Sequence, residues 1–587
     1  MANIVSVDDY ITDEWYPGFK PEYLQAPYVI EPMNTFSKED EKRFWFMDFH
    51  WPRGLTPMGL IWIEDGYAWS TQLAAHCLPL PPGKGITQRI AGTHVYASEV
   101  PVTSEWELQH RAQRIAYNLP AFLNDFEGIW QRRVEEVTAA LEHFENYVFA
   151  GKSLAELGQN LRDARTFQRR AFEIHFEIMY PLLANYLGFY GACTEFGIDT
   201  SEISKFLQGY DTKILETDRE LWKLTTSARA PEIASVFAAT EPEQIYGALQ
   251  RAGGAAGDWL AKFDAFLKIY GWRTEGITDV ALAPWIEDPT SPLGTIKTFL
   301  TMPNDHDFTA SHKLAIAERE AAIEAARSKL SKSEREAFDA GLASCQKANF
   351  AWWNDEHNFY LDLRSSIPLR RAILAIGEAL GCENRDDTMF LFWPEIIKVV
   401  EGQKSISDYR SLIKDRRQYF EHWRDRRPAM PKVLGTIPDR VTDPILIEIF
   451  GMHHHFFDAI RSQGKDVTTL TGLAASPGVV RGIARVLHSA GELHRIAPGE
   501  ILVCEATSPN WTPAFGKIAA CVCDGGGSLT HAAIISREYR IPCVVGVGVA
   551  TNVIADGDEV EVDGNKGVVR VTKAAAAGAA THAHAHA

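Results

Sequence analysis

The stretch CDGGGSLTHAAIISREYRIPCVVGVG, from Cys523 to Gly548, brings together residue types that can do chemistry. Gly525, Gly526 and Gly527 let the backbone take up positive φ and let a ligand approach closely. The run THAAIISREY has helical period and places His531 in its first turn. Amide N–H groups without intrahelical acceptors point out of a helix start, beside the positive pole of the helix dipole. That is a site for an anion. The same pole disfavours imidazolium, so a histidine there keeps a neutral ring with a nitrogen lone pair. Such a ring can attack a phosphoryl group and hold it as a phosphoramidate. A histidine at a helix start also serves as a cap, a packed ring or a solvated side chain. Taken alone, that is its commoner role. The glycine run matches neither GxGxxG nor GxxxxGK[ST].

A chain of 587 residues is too long for one core, and roughly two to four domains are expected. Apolar residues make up 46% and charged residues 23%, an ordinary soluble balance. The net charge of −18 argues against nucleic acid as a partner, which would call for a basic face. The N-terminus lacks the basic and apolar regions of a signal peptide. No apolar run approaches the ~18 residues of a membrane helix. The eight cysteines are scattered, and Cys521 and Cys523 should share one face of a strand. Reduced thiols and a cytoplasmic location are expected, with no membrane partner.

Residues 1–100 are rich in aromatics and prolines and read as short helices with loops. Helical period dominates 101–461. Thr103 or Ser104 caps one helix, and Pro181 should kink or divide another. Residues 310–363 read as an antiparallel hairpin of two long helices, the second opened by a Ser331–Glu334 capping box. Residues 462–472 are polar and glycine-bearing, a linker. The runs GIARVL, EILVCEA, AACVCD, PCVVGV, DEVEVDG and GVVRV then read as strands of a β/α domain over 473–573. The tail, 574–587, is low in complexity and carries His582, His584 and His586. The fold class is therefore α + α/β multidomain, a large mostly helical N-terminal region followed by a compact β/α domain.

Four blocks, ASPGVVRGIARVL, GEILVCEATSPNWTPAF, DGGGSLTHAAIISREYRIPCVVGVG and DGDEVEVDGNKGVVRV, occur in one order between residues 472 and 572. Together they resemble the swivelling phosphohistidine domain of phosphoenolpyruvate-utilising enzymes. The resemblance implies that His531 is the phosphorylated histidine and that Thr530 orients its ring. It also implies that Gly526, Gly527 and Arg537 lie against phosphate. For Arg537 a structural salt bridge fits its place equally well. The extra glycine and the Ser528-Leu529 pair sit loosely on the family pattern.

Members of this family carry an ATP-grasp module that charges the histidine. No such pattern is read here, and PPGKGIT at 81–87 lacks the spacing of a phosphate loop. The implied phosphoryl donor is a separate ATP-grasp subunit, which would also hold ATP and Mg2+. The stretches FMDFHWPRGLTPMGLIW and NDEHNFYLDLRSSIPLRRAILAIGEAL resemble the acceptor-binding helical region of rifampicin-phosphotransferase-type proteins. A helical acceptor region joined to the carrier resembles the phenylphosphate synthase arrangement, with a phenolic hydroxyl as acceptor. The candidate acceptor residues are His50, Arg53, Glu356, His357 and Arg364, with His50 or His357 as general base. Phe44-Trp45-Phe46, Trp352-Trp353 and Phe390-Leu391-Phe392-Trp393 either line an aromatic pocket or are core. Met452-His453-His454-His455 reads as structural, and no metal site is read from the sequence. Two alternatives remain open: the same chemistry on a non-phenolic hydroxyl, and a phosphohistidine carrier or regulatory protein without acceptor chemistry of its own.

Overall fold

The computed structural model describes residues 4–24, 29–78, 83–274, 276, 279–301, 308–439, 446–447, 449–462, 468–508 and 511–572. The chain forms two compact units: Met1–Arg440 with Ser508–Thr512, and Val441–Thr507 with Pro513–Ala587. No described helix is long and apolar enough to cross a membrane.

The N-terminal unit is mostly helical, but its first hundred residues contribute to a six-stranded sheet rather than to helices and loops alone. The strand order is Ile4–Val5, Val433–Thr436, Phe44–Met47, His94–Pro101, Gly83–Ala91, Asn34–Thr35. Val433–Thr436 reaches this sheet from the far end of the unit and pairs antiparallel with Phe44–Met47. Lys84 lies on a strand and pairs with Glu107, so the Gly-Lys pair near 83 is no phosphate loop. The helical part is built around Leu154–Glu195, a 42-residue helix opened by a Ser153–Glu156 capping box. It runs through the buried Pro181 instead of dividing there. The apolar packing along both flanks of this helix offsets the hydrogen bond that proline removes.

Helix Phe308–Lys329 and helix Lys332–Lys347 follow, the latter opened by the Ser331–Glu334 box. The second helix does not extend to 363. It stops at Lys347, and Asn349 caps a new helix, Phe350–His357, which winds into a π-helical turn at Asn358–Asp362. A second π-helical turn, Ile63–Ala68, interrupts the helical run after Pro57. Such turns are rare and frequent at functional sites.

The C-terminal unit is an eight-stranded mixed sheet carrying the helix His531–Tyr539. Val479–Val486, Ile501–Cys504, Ala520–Cys523 and Cys543–Val545 run parallel, and their valines and alanines fill a core cluster. The expected linker is partly structure: Thr469–Thr471 is the edge strand of this sheet, beside Val568–Thr572. Residues 463–467 and the tail lie outside the described residues. Residues 446–461, grouped with the helical region by sequence, belong to this unit instead. The Phe450 and Ile449 carbonyls accept from Gly526 and Gly527, and helix His454–Ser462 packs on Thr469–Thr471. All eight cysteines are free, and Cys521 and Cys523 do share one strand face, their sulfurs 3.7 Å apart.

Candidate active site

In the C-terminal unit the loops that follow the parallel strands lie at one edge of the sheet, the carboxyl end, where α/β folds place their ligands. Ile501–Cys504 leads to Thr507, Ala520–Cys523 leads to the glycines, and Cys543–Val545 leads to Gly546. His531 opens its helix after Thr530, whose backbone is extended (φ −79°, ψ 161°) and whose side chain does not cap the helix. The half-buried His531 ring stands edge-on to Phe515, with centroids 6.0 Å apart. Its Nδ1 lies 2.9 Å from the Thr507 hydroxyl. With Nδ1–H donating to that hydroxyl, the lone pair resides on Nε2, the nitrogen that can act as nucleophile.

Three sequence expectations are revised here. Thr530 does not orient the ring, because its hydroxyl donates to the Gly527 carbonyl at 2.8 Å. Thr507, unassigned from sequence, takes that place. Gly526 and Gly527 do not offer open amides: they donate to the Phe450 and Ile449 carbonyls at 3.0 and 3.2 Å. Gly526 has φ +91°, and a Cβ there would lie 2.8 Å from the Thr530 hydroxyl. Gly451, on the covering segment, comes so close that a Cβ would lie 2.1 Å from the Gly526 carbonyl oxygen. These glycines therefore serve turn and packing. Arg537 is engaged by backbone carbonyls. Its guanidinium donates to the carbonyls of Ala475 and Ser528, at 3.0 and 2.8 Å.

The N-terminal unit gathers a second set of side chains. His50 follows strand Phe44–Met47, and its Nδ1 lies 2.6 Å from Asp48 Oδ1. His175, on the long central helix, lies 2.9 Å from Asp362 Oδ1, and His357 Nε2 lies 3.1 Å from Asp362 Oδ2. The rings of His175 and His357 meet edge to face at 4.6 Å. Trp353 stacks on His357 at 4.2 Å and Phe172 on His175 at 5.4 Å. Tyr67, from the first π-helical turn, sits 6.5 Å from His50 between ring centroids.

The charges of this set are coupled. Burial pulls the His50 imidazole down, but Asp48 and then Asp362 outweigh it, so its pKa lies above the ordinary value. Burial holds the His175 pKa below the ordinary value despite Asp362. Burial pushes the Asp362 carboxyl up, yet His175 and His357 overcome it and hold it far below the usual carboxylate range. Burial, Asp48, Tyr180 and Asp362 together push the Tyr67 phenol well up.

Of the five acceptor residues named from sequence, His50 and His357 are thus brought to one charge cluster through Asp362. The other three serve elsewhere. Arg53 is exposed, and its charge acts on the buried Asp279. Glu356 accepts from the Lys213 amide at 2.6 Å, at the start of helix Lys213–Ala228, and burial raises its pKa to about 7. Arg364 pairs with Glu145 at 2.7 Å. His175, Asp362, Asp48 and Tyr67 were missed. Asp48 and Asp362 lie beside the named residues, but nothing in the spacing of the four marked them. Of the aromatic clusters, Trp353 contacts a histidine of the set, while Trp45 and Met47 belong to the core under the six-stranded sheet.

Comparison with known proteins covers both regions. Residues 175–354 match the family described as rifampicin phosphotransferase fourth domain. Residues 496–567 match the mobile domain of PEP-utilising enzymes. Chondramide synthase of Chondromyces crocatus is 30% identical over 578 residues, 95% of this chain and 14% of that protein. An uncharacterised phosphotransferase of Bacillus subtilis, YvkC, is 30% identical over 421 residues, 69% of this chain and 48% of that one. A probable phosphoenolpyruvate synthase of Archaeoglobus fulgidus is 44% identical over 112 residues, 19% of this chain and 15% of that one. The chain thus spans less than half the length of each of these relatives.

Proposed function

We propose that this chain, which belongs to the phosphoenolpyruvate-utilising enzyme family, is a phosphotransferase that carries a phosphoryl group on His531 and passes it to a hydroxyl acceptor, a phenol by preference. The observation that carries the reading is the His531 ring at the helix start, with its Nδ1 2.9 Å from the Thr507 hydroxyl. The charging step belongs to an ATP-grasp subunit, which binds ATP and Mg2+. The Nε2 lone pair attacks the phosphoryl phosphorus, the P–N bond forms, and the donor's P–O bond breaks. The first-turn amides and the helix dipole stabilise the phosphoryl oxygens.

Discharge needs an oxygen nucleophile and a base. His50 is the base: Asp48 fixes its Nδ1 and raises its affinity for a proton, and its side chain is 20% exposed against 2% for His357, so it can meet a substrate. The acceptor O–H gives its proton to His50 Nε2 as the oxygen attacks phosphorus. The P–N bond breaks and its electron pair returns to His531. The two sites need not be in contact while the carrier is charged, because a mobile domain serves both in turn.

The test mixes the chain, a stand-alone ATP-grasp protein, β-labelled ATP and a panel of phenols and alcohols. Acid-labile label on the wild type, absent from His531→Ala and discharged by a phenol, is the expected result. Label that no hydroxyl compound discharges would favour a carrier or regulatory protein over this reading.

A further inference from the structure

The three side chains that join His175 to His357 through Asp362 raise a question of proton count. His357 Nδ1 lies 2.8 Å from the Trp353 carbonyl oxygen, which can only accept, so Nδ1 carries a proton. In the neutral ring Nε2 then holds a lone pair. That lone pair faces Asp362 Oδ2, another acceptor, at 3.1 Å. Two acceptors held that close need a cation between them, either a second proton or a metal ion. A ligating histidine that donates its other N–H to a backbone carbonyl is the usual arrangement in metal centres.

We infer that His175, His357 and Asp362 form a binding site for one divalent transition-metal ion of the zinc or manganese class. Their ligand atoms all lie within 4.8 Å of one another, and all three residues are buried. The two N···O separations, 2.9 and 3.1 Å, approach the spacing of adjacent ligands on one ion, which is about 3–3.4 Å for bonds of about 2.1 Å. Two imidazoles and a carboxylate favour such an ion over Mg2+, which prefers oxygen alone.

The backbone is shaped for this set. Residues five apart on an α-helix point about 140° away from each other. The π-helical turn, with Leu363 N–H donating to Asn358 O at 3.1 Å, widens and underwinds that step and returns Asp362 to the side of His357. Trp353 and Phe172, stacked on the two rings, fix their planes. A second buried carboxylate, Asp48, keeps Oδ2 without a hydrogen-bond partner among the described residues, and it acts on Tyr67 together with Asp362. Two buried negative charges around one cluster favour a dication. Three protein ligands leave coordination positions open, and an acceptor or phosphoryl oxygen is the class of ligand that fits them. The inference rests on the proposed acceptor reading for that role, but not for the binding itself.

The test uses the full chain with His582, His584 and His586 changed to Ala, since that tail could chelate metal on its own. The protein is stripped with EDTA and titrated with Zn2+ by calorimetry and with Co2+ by visible absorption. One equivalent is expected to bind, with Co2+ d–d bands that Zn2+ abolishes. Asp362→Asn and His357→Gln are expected to weaken Zn2+ binding by at least about tenfold, and both are checked for wild-type circular dichroism. No d–d bands in the parent protein, or equal binding by the parent and Asp362→Asn, would overturn the site while leaving the phosphohistidine chemistry untouched. Normal Zn2+ binding without phosphorylation of any hydroxyl compound would remove the proposed function and leave the site in place.

Discussion

The histidines of the two units are held by different partners. His531 faces a hydroxyl, that of Thr507, at the positive pole of a helix. His50, His175 and His357 face carboxylates, those of Asp48 and Asp362. A neutral hydroxyl fixes a tautomer without raising basicity, which suits a nitrogen that must keep its lone pair for phosphorus. A carboxylate raises the affinity for a positive charge, which suits a base or a cation site. On the proposed function, the same side chain is turned to nucleophile or base by what stands behind its second nitrogen.

Removing the base should break this contrast most visibly. His50→Ala is expected to leave charging of His531 intact and to slow discharge to the acceptor by about 10²–10⁴-fold, measured by chasing labelled protein with a phenol. Equal discharge rates would reassign the base. On the nucleophile side, Thr507→Val removes one hydrogen bond, and charging is expected to slow about five- to tenfold, with discharge by His50 unaffected.

The pH dependence sharpens the same comparison. As the proposed base, His50 must be neutral to act, and its pKa is raised, so discharge should fall as pH drops through a value above 6.5. Asp48→Asn removes the group that raises it, and the acid limb is expected to move to lower pH. A limb that stays in place would separate Asp48 from the base.

The smallest effect concerns stability of the C-terminal unit. Burial, then His455 and His454, push the His453 pKa down to about 3. The unfolded residue takes up a proton below about 6.5, the ordinary histidine value, while the folded one stays neutral until near 3. Unfolding therefore takes up a proton in that window, and stability should fall with falling pH by at most about 1.4 kcal/mol per unit from this group. Urea unfolding of His453→Gln between pH 6.5 and 4.5 should show a shallower decline than the wild type.

The two units also differ in how far the sequence disclosed them. In the C-terminal unit six of the eight described strands fall on the short runs read as strands, and the helix that starts at His531 follows a glycine turn, so local patterns carry most of the fold. Thr507 was still missed, because only the parallel pairing of Ile501–Cys504 with Ala520–Cys523 brings its loop to the ring. In the N-terminal unit, strand Val433–Thr436 joins residues 44–46, which no local pattern could announce. His175 reads as one polar residue in a long apolar helix, and Asp362 meets it across 187 positions. His357 and Asp362, five apart, look misaligned until the helix underwinds into its π turn. Pro181 would end an isolated helix, and burial keeps this one continuous. Residues 446–461 continue a helical texture, and only the hydrogen bonds to Gly526 and Gly527 assign them to the C-terminal unit.

The central claim is that the Nε2 atom of His531 bears the phosphoryl group. Phosphorus NMR of the charged full-length chain tests it, with proteolysis and mass spectrometry to locate the label. The account predicts one acid-labile, base-stable phosphoramidate at Nε2 of residue 531 and none in His531→Ala. A phosphoryl group at Nδ1, on another residue, or still present in that variant would contradict it.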